Sequence, residues 1–158
     1  SAAQHSQSLE SWYTHIPGLV VVVPSTPADN KGLLKSAIRS DDPVVYFEHK
    51  NIWGLEGEVP DEEILIPFGK ARLEREGADI TIVSWSAQMH VVSEAATVLQ
   101  ERGISAEIID LRTLWPWDRE TVFSSVEKTQ SIVQPFVPYL LLDDKRVPEV
   151  AHHLSKIF

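Results

Sequence analysis

A strand–helix–strand unit is encoded by the stretch LVVVVPSTPADNKGLLKSAIRSDDPVVYF at residues 19–47. Its β-branched start has the length and composition of a buried strand, and the closing VVYF predicts a second strand. Between them, Thr26 is placed to cap a helix whose first turn contains Pro27 and Asp29. Strands that alternate with helices pair in parallel, so this stretch predicts an α/β layer fold.

The flanking sequence continues the alternation. Residues 51–69 hold glycines and prolines among acidic residues without a sustained period, which predicts an extended connector and a domain boundary. The other predicted elements are a helix over 6–15, strands over 70–76 and 79–85, a helix capped by Ser86 and ended by Gly103, a strand over 106–111, a helix over 119–128 capped by Asp118, a strand from Ser131, and an amphipathic helix over 148–157.

Composition excludes several classes of function. The 158 residues carry 14 lysines and arginines against 23 acidic residues, so the net charge of −9 argues against nucleic acid as a partner. The absence of cysteine removes disulfides, thiolate metal sites and cysteine nucleophiles. No apolar run approaches the length of a membrane span.

The sequence resembles the beta subunit of thiamine diphosphate-dependent 2-oxo acid and acetoin dehydrogenases, members of the transketolase-like family. The blocks that carry the resemblance are AQHSQSLESW at 3–12, IPGLVVVVPSTPADNKGLLKSAIRSDDPVVYFEHK at 16–50, GEVP at 57–60, IPFGKARLEREGADITIVS at 66–84 and GISAEIIDLRTLWPWD at 103–118.

The resemblance names the domains on either side of the connector. Residues 1–50 are expected to be the C-terminal part of a pyrimidine-binding domain, which faces thiamine diphosphate in the family. Residues 51–69 are the connector. Residues 70–158 are expected to form a transketolase C-terminal-like, three-layer α/β domain with a mainly parallel sheet.

Two departures from the family pattern limit what this chain can do. The upstream half of the pyrimidine-binding domain, which carries the glutamate that activates the cofactor ring in the family, is not in the sequence. After Val133 the family continues through a further strand–helix segment, whereas this chain passes to a sequence like the family's extreme C-terminus. We therefore expect an incomplete chain that is inactive alone.

His5 is the one catalytic residue that the resemblance implies. It lies in the block QHSQS and matches the family histidine at the thiamine site, where it handles protons or stabilises intermediates. Imidazole suits that task because its reference pKa is near neutrality. Without the surrounding block, a lone loop histidine is more often structural or solvated.

A helix C-terminus provides a second candidate site. Ala37, Ile38, Ser40 and Asp42 match a loop that binds a structural potassium ion in some family members. Carbonyl groups without intrahelical partners at the negative end of a helix are suitable ligands for such a cation. An ordinary helix exit explains the same residues equally well.

Arg112, within the family block DLRTLWPWD, has two roles open to it. It could pair across a subunit interface or brace the end of a strand, and we favour bracing. Trp115 and Trp117 beside it suit a packed dimer surface as well as a core.

The resemblance implies an enzyme subunit that uses thiamine diphosphate and magnesium, shared with an alpha subunit. The partners would be that alpha subunit, a second beta subunit and a lipoyl-bearing acyltransferase core, in the bacterial cytoplasm or the mitochondrial matrix. The complex would oxidatively decarboxylate a 2-oxo acid, pyruvate being favoured, and transfer the acyl group to lipoamide. Two alternatives are a non-catalytic dimerisation and docking module, and an acetoin dehydrogenase beta subunit.

Overall fold

The computed structural model describes Gln4 and residues 7–134 as a succession of short strands and longer helices. The elements are α1 (Glu10–Tyr13), β1 (Val20–Val22), α2 (Pro27–Arg39), β2 (Val44–Tyr46), a 3₁₀ turn (Lys50–Ile52), β3 (Arg72–Arg75), β4 (Ile80–Ser84), α3 (Gln88–Glu101), β5 (Ala106–Asp110), β6 (Thr113–Trp115), α4 (Arg119–Thr129) and β7 (Ile132–Val133). This order confirms the predicted α/β class.

The first sheet has the strand order β2-β1-β6. β1 and β2 are parallel, with Val20 opposite Val44, as the helix between them requires. β6 is antiparallel to β1, with Val21 opposite Trp115. A strand from the C-terminal half of the chain therefore completes the sheet that the N-terminal half begins.

The second sheet has the order β3-β5-β4-β7. β4 pairs in parallel with both β5 and β7, which confirms a mainly parallel sheet. β3 pairs antiparallel with β5. The tight turn around Gly77 and Ala78 reverses the chain between β3 and β4, with no crossover helix, and β4 runs parallel to β5.

Three hydrophobic clusters hold these layers together. One joins α3 to β4 and β5, the second lies on the α4 side of the same sheet, and the third lies under α2. The buried members of the α3 cluster are Ile80, Ile82, Met89, Val92, Ala96, Leu99, Ala106 and Ile108. Those of the α4 cluster are Val83, Ile109, Leu111 and Val122. Those of the α2 cluster are Val20, Val22 and Leu33. Alternate residues of β4 thus serve opposite faces, as the period of a strand dictates.

Three of the predicted helix boundaries have the expected chemistry. Thr26 Oγ1 accepts the Asp29 amide at 3.1 Å, and the Asp118 carboxylate accepts the Thr121 amide at 3.2 Å. Gly103, just after α3, has φ of +81°, the left-handed conformation that glycine adopts without a steric penalty.

Other sequence predictions were wrong or incomplete. The helix predicted over 6–15 is the single turn α1, because it buries no side chain that would extend it. Ser86 does not cap α3; it has φ of 51°, and Ala87 at the N-cap position makes no side-chain hydrogen bond. β6 was not predicted, since it has only three residues and ends at the cis Trp115–Pro116 bond. The helix predicted over 148–157 lies outside the described residues.

The connector has neither helix nor strand from Trp53 to Ala71, which agrees with the extended conformation predicted for it. It crosses α2, where Ile66 and Phe68 pack against the cluster around Leu33. No helix among the described residues has both the length and the apolar character needed to cross a bilayer.

Gly77 provides a test of the close packing between the β3–β4 turn and β5. A Cβ atom at this position would overlap the backbone of Ala106 and Glu107, which cannot move without breaking the sheet. Gly77→Ala should therefore lower the free energy of unfolding by about 1–3 kcal/mol, measured from urea denaturation.

Gly54→Ala is the matched control, because a Cβ atom there meets nothing within 4 Å. It should stay within about 0.5 kcal/mol of the unmodified chain. Equal stability of the two variants would contradict the packing described here.

Candidate functional site

An ionic cluster joins the N-terminal and C-terminal halves of the chain. We use this name for Ser25, Asp29, Arg72, Asp110 and Arg112. Ser25 follows β1, Asp29 lies in the first turn of α2, Arg72 begins β3, and Asp110 ends β5. Asp110 and Asp29 are 0% and 4% exposed, so their charges depend on protein partners instead of water.

Arg72 lies at the centre of this cluster. Its Nη2 atom is 3.2 Å from Asp110 Oδ2 and 3.5 Å from Asp29 Oδ2. The same nitrogen is 2.9 Å from Glu74 Oε2 at the surface. The Ser25 hydroxyl donates a short hydrogen bond to Asp110. One guanidinium thus links a buried carboxylate in the first turn of α2 to a buried carboxylate at the end of β5.

Arg112 provides the second link and has φ of +56° in the turn between β5 and β6. Its Nη1 atom is 3.1 Å from Asp29 Oδ1. Its Nη2 atom donates to the carbonyl oxygens of Lys70 at 2.8 Å and Ala71 at 3.2 Å. These contacts lie within one chain and agree with the bracing role that we favoured for this arginine.

The pKa of Asp110 reflects competition within the cluster. Burial raises the pKa of this carboxyl to about 6, against the Ser25 hydroxyl and the Arg72 guanidinium, which favour its ionised form. The negative charge of Asp29 adds to the upward shift. Asp110 therefore changes protonation in the folded chain just below neutral pH.

A polar cleft of about 330 Å³ opens at the carboxyl ends of the parallel strands β1 and β2. Ligands of open α/β sheets bind at this end of the strands. The cleft is lined by Pro24, Ser25, Thr26, Pro27, Asn30, Glu48, His49, Ile52, Trp53 and Leu55. Since Ser25 belongs to both features, the ionic cluster positions one wall of the polar cleft.

The C-terminal half also holds the backbone of Ser25. His90 Nε2, on α3, donates to the Ser25 carbonyl oxygen at 3.0 Å. On the far side of the cleft, His49 Nδ1 accepts the Asn51 amide at 3.2 Å. Burial lowers the pKa of His49, while the charge of Glu10 opposes that shift. A neutral imidazole beside hydroxyl groups can bind a polar, uncharged ligand.

An apolar groove of about 530 Å³ lies on the α4 side of the second sheet, between that sheet and α1. Its walls carry large apolar side chains, with polar residues of α1 along one rim. The lining residues are Ser8, Glu10, Ser11, Thr14, Val83, Trp85, Leu111, Leu114, Trp115, Trp117, Val122, Ile132 and Gln134.

Of the two sites predicted from sequence, only the one at the end of α2 can be located among the described residues. His5 lies outside the described residues. Ala37 and Ile38 are in the last turn of α2, and Ser40, the C-cap residue, donates its amide to the Ala37 carbonyl at 3.3 Å. Asp42 follows, with its amide bound to Ser40 Oγ at 3.1 Å. This helix end is about 18 Å along α2 from the polar cleft.

The sequence analysis missed the ionic cluster. A usable signal was present, because Asp110 ends the strand AEIID, all five residues of which are buried. An acidic residue in a buried strand needs a cationic partner, and Arg72, the first of the two arginines in RLER, lies opposite Asp110 on the adjacent strand.

The described residues fit only part of a thiamine diphosphate site. Among residues 7–134, no three histidine or acidic side chains are grouped closely enough to hold a metal ion. The polar cleft has hydrogen-bonding groups but no cationic lining residue that would favour a phosphate.

Two domain families match the chain. Residues 1–54 match the transketolase pyrimidine-binding domain, and residues 69–135 match the transketolase C-terminal domain. The two matches are separated by most of the connector.

Curated relatives are beta subunits of several dehydrogenases. The chain is 56% identical over 133 residues to the acetoin:2,6-dichlorophenolindophenol oxidoreductase subunit beta of Cupriavidus necator, covering 84% of this chain and 39% of that one. It is 53% identical over 131 residues to the mitochondrial 2-oxoisovalerate dehydrogenase subunit beta of Dictyostelium discoideum, covering 82% and 35%. It is 49% identical over 131 residues to the pyruvate dehydrogenase E1 component subunit beta of Chlorokybus atmophyticus, covering 83% and 39%. The chain thus spans less than half the length of these relatives.

Solved structures give the same fold. A split-gene transketolase, described as an inactive β4 tetramer, superposes with a TM-score of 0.70 at 26% identity, covering 91% of this chain and 47% of that one. A Pichia stipitis transketolase complex superposes with a TM-score of 0.58 at 14% identity, covering 92% and 26%, which supports the fold alone.

The raised pKa of Asp110 predicts a specific pH dependence of stability. Between pH 3.8 and 6 the folded chain keeps this carboxyl protonated while the unfolded chain ionises it, so stability falls as pH rises through that window. Integration from pH 5 to 7 gives a loss of roughly 1 kcal/mol from this group. Asp110→Asn removes the titration and should flatten the urea-derived stability profile by that amount.

The exposed aspartate Asp41 offers a matched control. Asp41→Asn should keep the slope of the unmodified chain. An unaltered slope in Asp110→Asn would show that Asp110 does not titrate as described.

Proposed function

The chain belongs to the transketolase-like family, and from that premise we propose that it is part of the beta subunit of a 2-oxo acid dehydrogenase. The observation that carries the proposal is identity of 49–56% to dehydrogenase beta subunits over more than four fifths of the chain.

The proposed activity is thiamine diphosphate-dependent oxidative decarboxylation of a 2-oxo acid, with acyl transfer to lipoamide. Bound thiamine diphosphate supplies the carbanion chemistry. The protein contributes orientation and proton transfer, and His5 is the residue of this chain that we assign to proton transfer. We assign residues 1–50 to the pyrimidine-binding domain, 51–69 to the connector and 70–158 to the C-terminal domain.

The active assembly requires other chains. In line with the family resemblance, an alpha subunit is proposed to hold the diphosphate and magnesium. A second beta subunit and a lipoyl-bearing core complete the assembly, in a bacterial cytoplasm or a mitochondrial matrix. The present chain alone is then inactive, and a docking role without catalysis is the alternative.

The substrate is pyruvate in our first proposal, with acetoin as the second candidate. The acetoin proposal is supported by the 56% identity to the Cupriavidus necator subunit. The differences of a few per cent from the 2-oxoisovalerate and pyruvate relatives are too small to discriminate between the three substrates. Turnover of the three substrates by the assembled enzyme distinguishes them directly.

His5→Ala tests the catalytic assignment in the complete beta subunit assembled with its alpha subunit. General acid–base catalysis contributes at least about 100-fold, so turnover to acyl-lipoamide should fall by roughly that factor. Gel filtration should show intact assembly.

His15→Ala is the control, because His15 is exposed and lies in the same N-terminal segment. Its turnover should match that of the unmodified enzyme. Normal turnover in His5→Ala would refute the assignment and favour the docking role.

A potassium ion at Ala37, Ile38, Ser40 and Asp42 is a separate proposal. Ligand binding at several times Kd stabilises a chain of this size by about 1 kcal/mol, which corresponds to about 2–4 °C in Tm. Tm in potassium chloride should exceed Tm in choline chloride by that amount at equal ionic strength. Identical Tm values in the two salts would exclude the ion.

A further inference from the structure

The apolar groove leaves large hydrophobic side chains exposed to solvent. Trp115 and Ile132 in its walls are 37% and 49% exposed. Trp85, Leu114 and Trp117 pack against the buried cluster beneath it and form its floor. A continuous apolar patch of this kind marks a binding surface instead of ordinary scattered exposure.

The chain leaves the described region at the edge of this groove. Gln134 is one of the lining residues and follows β7, the edge strand of the second sheet. The next eight residues, PFVPYLLL at 135–142, contain an aromatic and aliphatic run, and the charged sequence DDKR follows it. The apolar composition of the run therefore matches the walls that begin beside it.

We propose that the apolar groove is the docking site for residues 135–142 of the same chain. Eight residues reach at most about 26 Å from Gln134, which is enough to cross a groove of this volume. The short tether gives the segment an effective concentration in the millimolar range, roughly a thousandfold above a free copy at micromolar concentration. Intramolecular docking therefore outcompetes a second copy of the chain.

The groove fits an apolar segment better than a charged one. Glu10 is the single charged residue among the lining residues, and it lies at the rim on α1 with Ser11 and Thr14. The apolar run would cover the tryptophans, while the charged residues from Asp143 onward would remain in water. Docking would also add contacts between α1 and the C-terminal half of the chain.

Crosslinking tests the proposal because the sequence contains no cysteine. Ser11→Cys places a thiol on the exposed rim of the groove, and Leu141→Cys places one in the segment. With a short bis-maleimide reagent, the full chain should form an internal crosslink, detected by mass spectrometry of tryptic peptides.

Thr97→Cys combined with Leu141→Cys is the matched control. Thr97 is exposed on α3, which packs against the opposite face of the second sheet. The Ser11 pair should crosslink at least about tenfold faster than the Thr97 pair, at a rate that does not change on dilution. Adding Leu140→Asp and Leu142→Asp should reduce it to the control rate.

Fluorescence quenching gives a second measurement without introduced thiols. Trp12 and Trp53, which are 69% and 66% exposed and do not line the groove, are replaced by phenylalanine. In that background, Leu140→Asp with Leu142→Asp should raise acrylamide quenching of the three groove tryptophans, whereas His152→Ser should not.

Two results would overturn the proposal. Equal crosslinking of the Ser11 and Thr97 pairs, together with unchanged quenching, would show that the segment does not cover the groove. Crosslinks that join two chains and weaken on dilution would assign the groove to a second copy instead.

Discussion

The sharing of the Arg72 guanidinium by Asp29 and Asp110 is the interaction on which the two halves of this chain depend. The buried carboxylates of α2 and β5 would repel each other, and each would lose its hydration without a cation between them. Arg112 adds a second cation on the outer side of Asp29. These residues come from α2, from β3, and from the C-terminal end of β5 with the turn after it. The charges therefore tie α2, which packs on the first sheet, to the second sheet. The ionic cluster also positions one wall of the polar cleft, because Ser25 in that wall is bound to Asp110.

The elements that could be predicted from sequence are those with local causes. Thr26 and Asp118 cap their helices through bonds to residues three positions ahead. β1 is an uninterrupted valine run, and β4 is a short run composed mostly of β-branched residues. β6 and the ionic cluster depend on residues that are distant in sequence. The Arg112–Asp29 pair spans 83 positions, and the local sequence around neither residue identifies the other as its partner. The helix over 6–15 failed for a related reason, since α1 buries no side chain.

The difference between local and long-range contacts also explains why only part of the candidate site was predicted from sequence. The family resemblance suggested His5 and the end of α2, because the sequence blocks that carry the resemblance contain them. It gave no indication that α3 and β5 hold Ser25 from two directions, through His90 and Asp110. The C-terminal half contributes no lining residue to the polar cleft, yet its His90 and Asp110 hold Ser25, which does line it. In the dehydrogenase proposal the chemistry is divided among several chains, and these two hydrogen bonds hold one wall of the polar cleft in this chain.

The pairing of β6 with β1 has a consequence for how the chain acquires its structure. Val21 and Trp115 are opposite each other although more than ninety residues separate them, so the first sheet closes a very long loop. Contacts of such high sequence separation form late and slow the folding of a small domain. During synthesis, β1 and β2 leave the ribosome well before β6 exists, and the edge of β1 stays open until it arrives. Its valines would meanwhile be an available template for other extended segments, which makes this interval the period of greatest risk of aggregation.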